Sequence, residues 1–208
     1  LIAKYGKDIV YADVQRLGFI ASTRPTTEAF NEYLSAVFSP HESSGVARES
    51  LVFGAMVYPD PKGKDDGSVA KAKRFLKAMP GLVSTMAVGL EAICTGDFAE
   101  YEPTDEEREK LDKEFEFGWV GLVPSGCKPI ILATDEIAGS VVRRAIEASQ
   151  QGHDKLSDII RAAVIACVKK PDVSTVESLL DERPGLLIPL WVKTRDVTGA
   201  GNAEVGKG

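Results

Sequence analysis

The sequence is poor in the residues from which common active sites are built. Two histidines, His41 and His153, and three cysteines, Cys94, Cys127 and Cys167, are scattered through 208 residues. No two cysteines are spaced as CxxC, which excludes the usual zinc and redox signatures. HExxH, GxSxG and DxDxDG are absent as well, and with them the local patterns of metalloproteases, α/β-hydrolases and calcium loops. An odd, widely spaced set of thiols suits a reducing cytoplasm. Cys167 sits in an apolar helical pattern, where a free thiol acts as a small hydrophobe.

Positive charge is also missing in any concentrated form. The formal net charge is -6 and no Lys/Arg block occurs. Phosphate neutralisation supplies most of the affinity of a general nucleic-acid binder, so DNA or RNA is an unfavoured partner. No apolar run reaches the roughly 18 residues of a membrane helix, and no charged-then-apolar leader opens the chain. The first residue is Leu1 rather than Met, so further N-terminal sequence is expected to precede it. The expectation is therefore a protein with no membrane segment and no cofactor.

What is present is an ordinary globular composition, 44% hydrophobic and 27% charged, able to bury a core without metals or disulfides. It also carries an internal echo. At an offset of 108, Tyr11 meets Trp119, Val14 meets Leu122, Gly18 meets Gly126, and Thr26-Thr27-Glu28 meets Thr134-Asp135-Glu136. Pro59-Asp60 then answers Pro171-Asp172, and LKAMPGL at 76–82 answers LDERPGL at 180–186. Eight extra residues in the first half, around PKGKDDGS at 61–68, read as a loop insertion. The order of landmarks predicts an α+β, mainly α protein made of two tandem copies of a β-hairpin plus helical-bundle unit. The boundaries read as a first unit at 1–96, an acidic connector at 97–114, a second unit at 115–195 and a flexible Gly-rich tail at 196–208.

Each unit opens with extended sequence. Residues 9–14 and 19–22 flank a Gln-Arg-Leu-Gly turn, and 115–123 and 128–132 flank Pro124-Ser125-Gly126; both read as hairpins. A hairpin alone is marginal in water, so each must pack on helices or extend a sheet. Helices follow, with Thr26 and Thr134 as expected N-caps and Glu28, Asp135 and Glu136 favouring the positive helix end. Phe30, Tyr33, Leu34, Val37 and Phe38 keep helical spacing. The strongest apolar stripe is Leu156, Ile159, Ile160, Ala163, Val164, Cys167 and Val168, answered by Leu51, Val52, Ala55 and Met56. Both of these helices are expected to run to Pro59 and Pro171. Shorter helices are predicted at 69–79 and 174–183, then at 82–93 and 186–193. The last contains Pro189 and is expected to be shorter or kinked.

The tempting chemical motifs fail on context. His41 lies in SPHESSG and His153 in QQGHD, both polar loop settings without ligand spacing. Ser43, Ser44 and Ser50 near His41 and Glu42 are neighbours in a loop, not a triad, which needs an oriented base and an oxyanion site. Gly201 to Lys207 spells GxxxxGK, but Gly208 stands where a P-loop places Ser or Thr, and the helix that would face a phosphate has no room. The carboxylates of 105–114 alternate with Arg108, Lys110 and Lys113; pairs such as Glu106–Lys110 and Glu109–Lys113 describe a solvated helix rather than catalytic acids. Tyr11, Trp119 and Trp191 read as core or interface aromatics. No catalytic, cofactor-binding or metal residue is assigned.

The favoured activity is protein contact. Grooves between amphipathic helices take a partner helix, two units offer avidity towards a long partner, and an unpaired hairpin edge invites another subunit. The segments KYGKDIVYADV at 4–14, TRPTTEAFNEYL at 23–34, LVFGAMVYPD at 51–60 and FLKAMPGLVSTMA at 75–87 together resemble the tail assembly chaperone-like proteins of bacteriophage tail-gene clusters. In that class a β start leads to an R-P-T helix opening, an apolar helix ending in V-x-P-D and a Pro-Gly-Leu segment. The second half keeps only the PD and PGL landmarks. The resemblance implies a non-enzymatic role, binding the helices of the tape-measure protein in the cytoplasm of the infected cell. Two fused copies and the insertion depart from the class, and leave open a structural component of the virion. An enzyme whose site is assembled from distant residues and a host-encoded adaptor are the remaining alternatives.

Overall fold

The computed structural model describes residues 8–14, 18–39, 43–59, 67–153 and 155–199. It is α+β and mainly helical, as the apolar spacing predicts, with two small antiparallel sheets. The chain divides into two compact units at Cys94/Thr95.

In the first unit, β1 (Ile9–Val14) and β2 (Gly18–Thr23) form the expected antiparallel hairpin. Thr26 caps α1 (Thr27–Phe38) by accepting from the Ala29 backbone N–H. Helix α2 (Ser44–Gly54) follows. The anticipated helix up to Pro59 does not form. It ends at Gly54, and Met56–Tyr58 becomes β3, paired with β2. A residue before proline avoids helical geometry, and here the extended alternative gains sheet hydrogen bonds. Helix α3 (Ser68–Ala78) then turns by 102° into α4 (Pro80–Thr95). Pro80 starts α4 instead of preceding it, because the first helical turn needs no proline N–H. The core gathers Ile20, Phe30, Leu34, Val52, Leu76, Met86 and Leu90, all essentially inaccessible. Each such side chain contributes roughly 1.5–3 kcal/mol by burial. Ala36 joins α1's buried face, while Val37, expected there, is partly exposed.

The second unit begins with β4 (Phe98–Glu100) and α5 (Asp105–Glu114). Thr104 and Glu107 close a capping box at the start of α5. The segment read as an exposed acidic connector with a short helix is mostly exposed, the buried Leu111 apart, and it holds that helix; the strand β4, paired with β5, is the addition. β5 (Trp119–Pro124) and β6 (Ile130–Ala133) make the hairpin, followed by α6 (Glu136–Gln151) and α7 (Leu156–Cys167). Asp135, not Thr134, caps α6 by accepting from Ala138 N–H; the helix starts one residue later than expected, and the carboxylate meets its dipole. As in the first unit, the residues before proline leave the helix: Val168–Lys170 is β7, paired with β6. Helix α8 (Val173–Glu182) leads through a 3₁₀ turn (Pro184–Leu186) to α9 (Leu187–Val197). Pro189 lies in the first turn of α9 and does not interrupt it; α9 spans 11 residues against 16 for α4. The core here is Leu122, Ile130, Leu132, Leu156, Ile160 and Leu180, with Trp191 at its margin.

The sheets run β1-β2-β3 and β4-β5-β6-β7. Register shifts fall at Ala21/Ser22 in one and Ile131/Leu132 in the other, and the Tyr58-Pro59 and Lys170-Pro171 bonds are both cis. Strand register puts Ile9 level with Trp119, and Tyr11, which pairs Ala21, level with Gly121, which pairs Ile131. The hairpins therefore align two residues away from the 108 offset that the glycines and aromatics suggest. The cause is turn chemistry: the left-handed glycine is Gly18 at the end of one turn and Gly126 inside the other, so matching glycines misaligns the strands.

Candidate protein-binding surfaces

In the second unit, one face of the sheet packs on helices through Leu122, Ile130 and Leu132. The other face carries Trp119, Gly121, Ile131, Ala133 and Lys170, since these are cross-strand partners or alternate along a strand. β4 extends the sheet at the β5 edge, and Tyr101 and α5 lie over this face. Trp119 Nε1 donates to Asp112 Oδ1 at 2.8 Å, Lys170 Nζ pairs with Glu114 Oε2 at 2.6 Å, and the Tyr101 and Trp119 rings lie 6.2 Å apart. Lys170 also stands 5.7 Å over the Phe115 ring.

A groove of about 320 Å³ remains beneath α5, lined by Tyr101, Leu111, Pro129 and Ile131 with Lys110, Lys128 and Lys170 at its rim. A second groove, about 380 Å³, shares Lys128 and Pro171 with it and runs along α8. Burial raises the Tyr101 phenol above its ordinary value and nearby Glu107 adds to this. Glu107 is itself held low by the Thr104 N–H and hydroxyl. A carboxylate kept ionised by a helix cap is poorly placed to donate a proton. No nucleophile is paired with an oriented base here among the described residues, and no group of three His, Cys, Asp or Glu that could hold a metal occurs among them.

The first unit presents the corresponding sheet face differently. Its inner face is closed by helices: Ser22 Oγ donates to Val52 O at 3.0 Å, and Val10 lies against Gly89 of α4. On the opposite face, Tyr11 and Tyr58 are both cross-strand partners of Ala21, and Phe19 is two residues along the same strand. The three rings are about half exposed, at 57%, 47% and 47% for Tyr11, Phe19 and Tyr58, while Ala21 beneath them is fully covered. Tyr11 and Phe19 meet edge to face at 6.2 Å. Asp13, opposite Phe19, is the charged residue among the described strand positions of this face. No strand pairs with the free side of β1 among them either.

The chain matches no known family model, no curated protein and no solved structure.

The sequence motifs fall elsewhere. His41 and the GxxxxGK segment lie outside the described residues. His153 is exposed just after α6, and Ser43 is the first-turn boundary of α2. Trp191 is buried and Trp119 half-buried, whereas Tyr11 is exposed. Phe19 and Tyr58 were not singled out by the sequence. Their signal is parity: Tyr11 and Asp13, like Phe19 and Ala21, alternate with apolar residues that face the helices. Tyr58 becomes legible only once 56–58 is known to be a strand.

Proposed function

We propose that this chain is a non-enzymatic bacteriophage protein acting in tail assembly, that it binds a helical partner such as the tape-measure protein, and that its two units are diverged copies of one ancestral unit. Duplication is supported by the shared order of hairpin, two helices, a further strand and two further helices, with a register shift in the second strand of each hairpin.

One observation carries the binding reading. The second unit lays the helix α5, with Leu111 buried, over the outer face of its sheet, while the first unit leaves the matching face as a half-exposed aromatic surface among the described residues. An apolar face of this kind marks a contact surface, and a helix laid on it is a common recognition mode. Co-expression with the long coiled-coil product of a neighbouring tail gene tests the proposal. The expected result is co-purification and a larger soluble fraction of that product. No association and no gain in solubility would remove the basis of the assembly reading. Presence of the chain in purified particles would favour the virion-component form of it.

A further inference from the structure

Resting on the protein-binding reading, we infer that the Tyr11–Phe19–Tyr58 face of the first unit docks a basic amphipathic helix, one that sets a Lys or Arg between apolar residues against these rings and Asp13.

Sign is the first argument. Among the described strand positions of this face Asp13 is the charged one, and its carboxylate is exposed on the residue paired with Phe19. A cation there gains an ion pair and the faces of Tyr11 and Phe19, whose rings attract ammonium or guanidinium groups. An acidic helix would instead bring like charges together. The chain itself supplies the precedent with the sign reversed. On the outer face of the second unit the row through Gly121 and Ile131 ends in Lys170, and the helix seated there is acidic: α5 reads DEEREKLDKE and its Glu114 meets Lys170 at 2.6 Å.

Shape is the second argument. In the second unit, Gly121 leaves space that Tyr101 fills from the covering segment, so close that a Cβ on Gly121 would lie 2.7 Å from Tyr101 Cβ. Tyr11 stands level with Gly121 and fills that space from within its own strand. A second copy's 98–114 segment therefore cannot repeat its seat on the first unit: its Tyr101 would collide with Tyr11 and its carboxylates would face Asp13. A separate partner with aliphatic residues and a basic head fits both constraints.

The test is selection from a displayed library of 18-residue amphipathic helices against the full chain, followed by binding measurements on the enriched peptides. Enrichment of Lys or Arg flanked at helical spacing by aliphatic residues is expected. Asp13→Lys should weaken those peptides at least tenfold, and Tyr11→Ala with Phe19→Ala should abolish binding, with circular dichroism and urea midpoint close to the parent. Overturning results are enrichment of acidic peptides, no enrichment, or binding indifferent to these substitutions. Self-association of the chain that disappears in Phe19→Ala would assign the face to a second copy and equally overturn the inference. A failed selection beside successful co-purification with the tail product would refute this surface and spare the assembly reading; the converse pattern would refute the tail partner alone.

Discussion

Tyr101 and Gly121 are in contact without room for a methyl group between them: a Cβ on Gly121 would fall 2.7 Å from Tyr101 Cβ and 2.8 Å from its Cδ1. The Tyr101 Cβ is fixed to a backbone that itself donates to Gly121 O at 3.1 Å, so a side-chain rotation cannot relieve the overlap. Gly121→Ala should push Tyr101 and the α5 cover away from the sheet face at a cost of about 1–3 kcal/mol. Trp119, hydrogen-bonded to Asp112 on that cover, reports the event. The fluorescence should shift to the red, while Trp191 stays buried and unchanged; an unshifted spectrum with an unaltered urea midpoint would refute the contact.

Tyr33 joins α1 to α4 in the first unit. Its hydroxyl donates to the Glu91 carboxylate, and burial followed by Glu91 raises the phenol above its ordinary value. Tyr33→Phe should cost about 1.5–3 kcal/mol in urea unfolding, the range for hydrogen bonds to charged groups. A loss below half a kcal/mol would mean water satisfies Glu91 equally well.

The three thiols should separate by reactivity. Burial pushes the Cys94 and Cys167 thiols up to about 11, and both are buried while Cys127 is partly exposed. With an aromatic disulfide reagent at pH 8, one thiol should react promptly and two only as the chain unfolds, since thiolate is the attacking form. Two prompt thiols would contradict the packing of α4 or α7.

Acid should weaken the second unit through two helix caps. Asp172 is held at about 2, chiefly by the Ser174 and Thr175 hydroxyls, against an ordinary 3.8. Asp135 is lowered by the Ala138 N–H and then by Lys169. Because the folded value lies below the unfolded one, the stabilisation is complete above about pH 4 and is lost as pH falls towards 2. Asp172→Asn with Asp135→Asn should flatten the urea midpoint against pH across that window; an unchanged slope would place the acid sensitivity elsewhere.

Much of the architecture is legible in the sequence because it is written in local chemistry. Turn residues mark both hairpins, Thr26 marks a cap, and the spacing of Leu156, Ile160 and Val164 marks a helix face. What escapes is decided by distant partners. Met56 and Val168 continue helical apolar stripes, and the pairing of Met56–Tyr58 and Val168–Lys170 as strands depends on edges offered by β2 and β6. The segment at 97–114 reads as solvated because its composition is acidic; nothing local reveals that Leu111 and Tyr101 close over a sheet contributed by residues further on. The aromatic face of the first unit is hidden for the same reason, since Tyr58 joins Tyr11 and Phe19 only through pairing across more than thirty residues of chain.

The seating of 98–114 on β5 governs where this polypeptide tolerates being cut. A fragment begun at Phe115 would bare the indole of Trp119 and the side chain of Ile131, and would open the β5 flank to stray strand pairing of the sort that drives precipitation. One begun at Thr95 keeps its own lid, so truncation design should follow that lid rather than the acidic composition that disguises it.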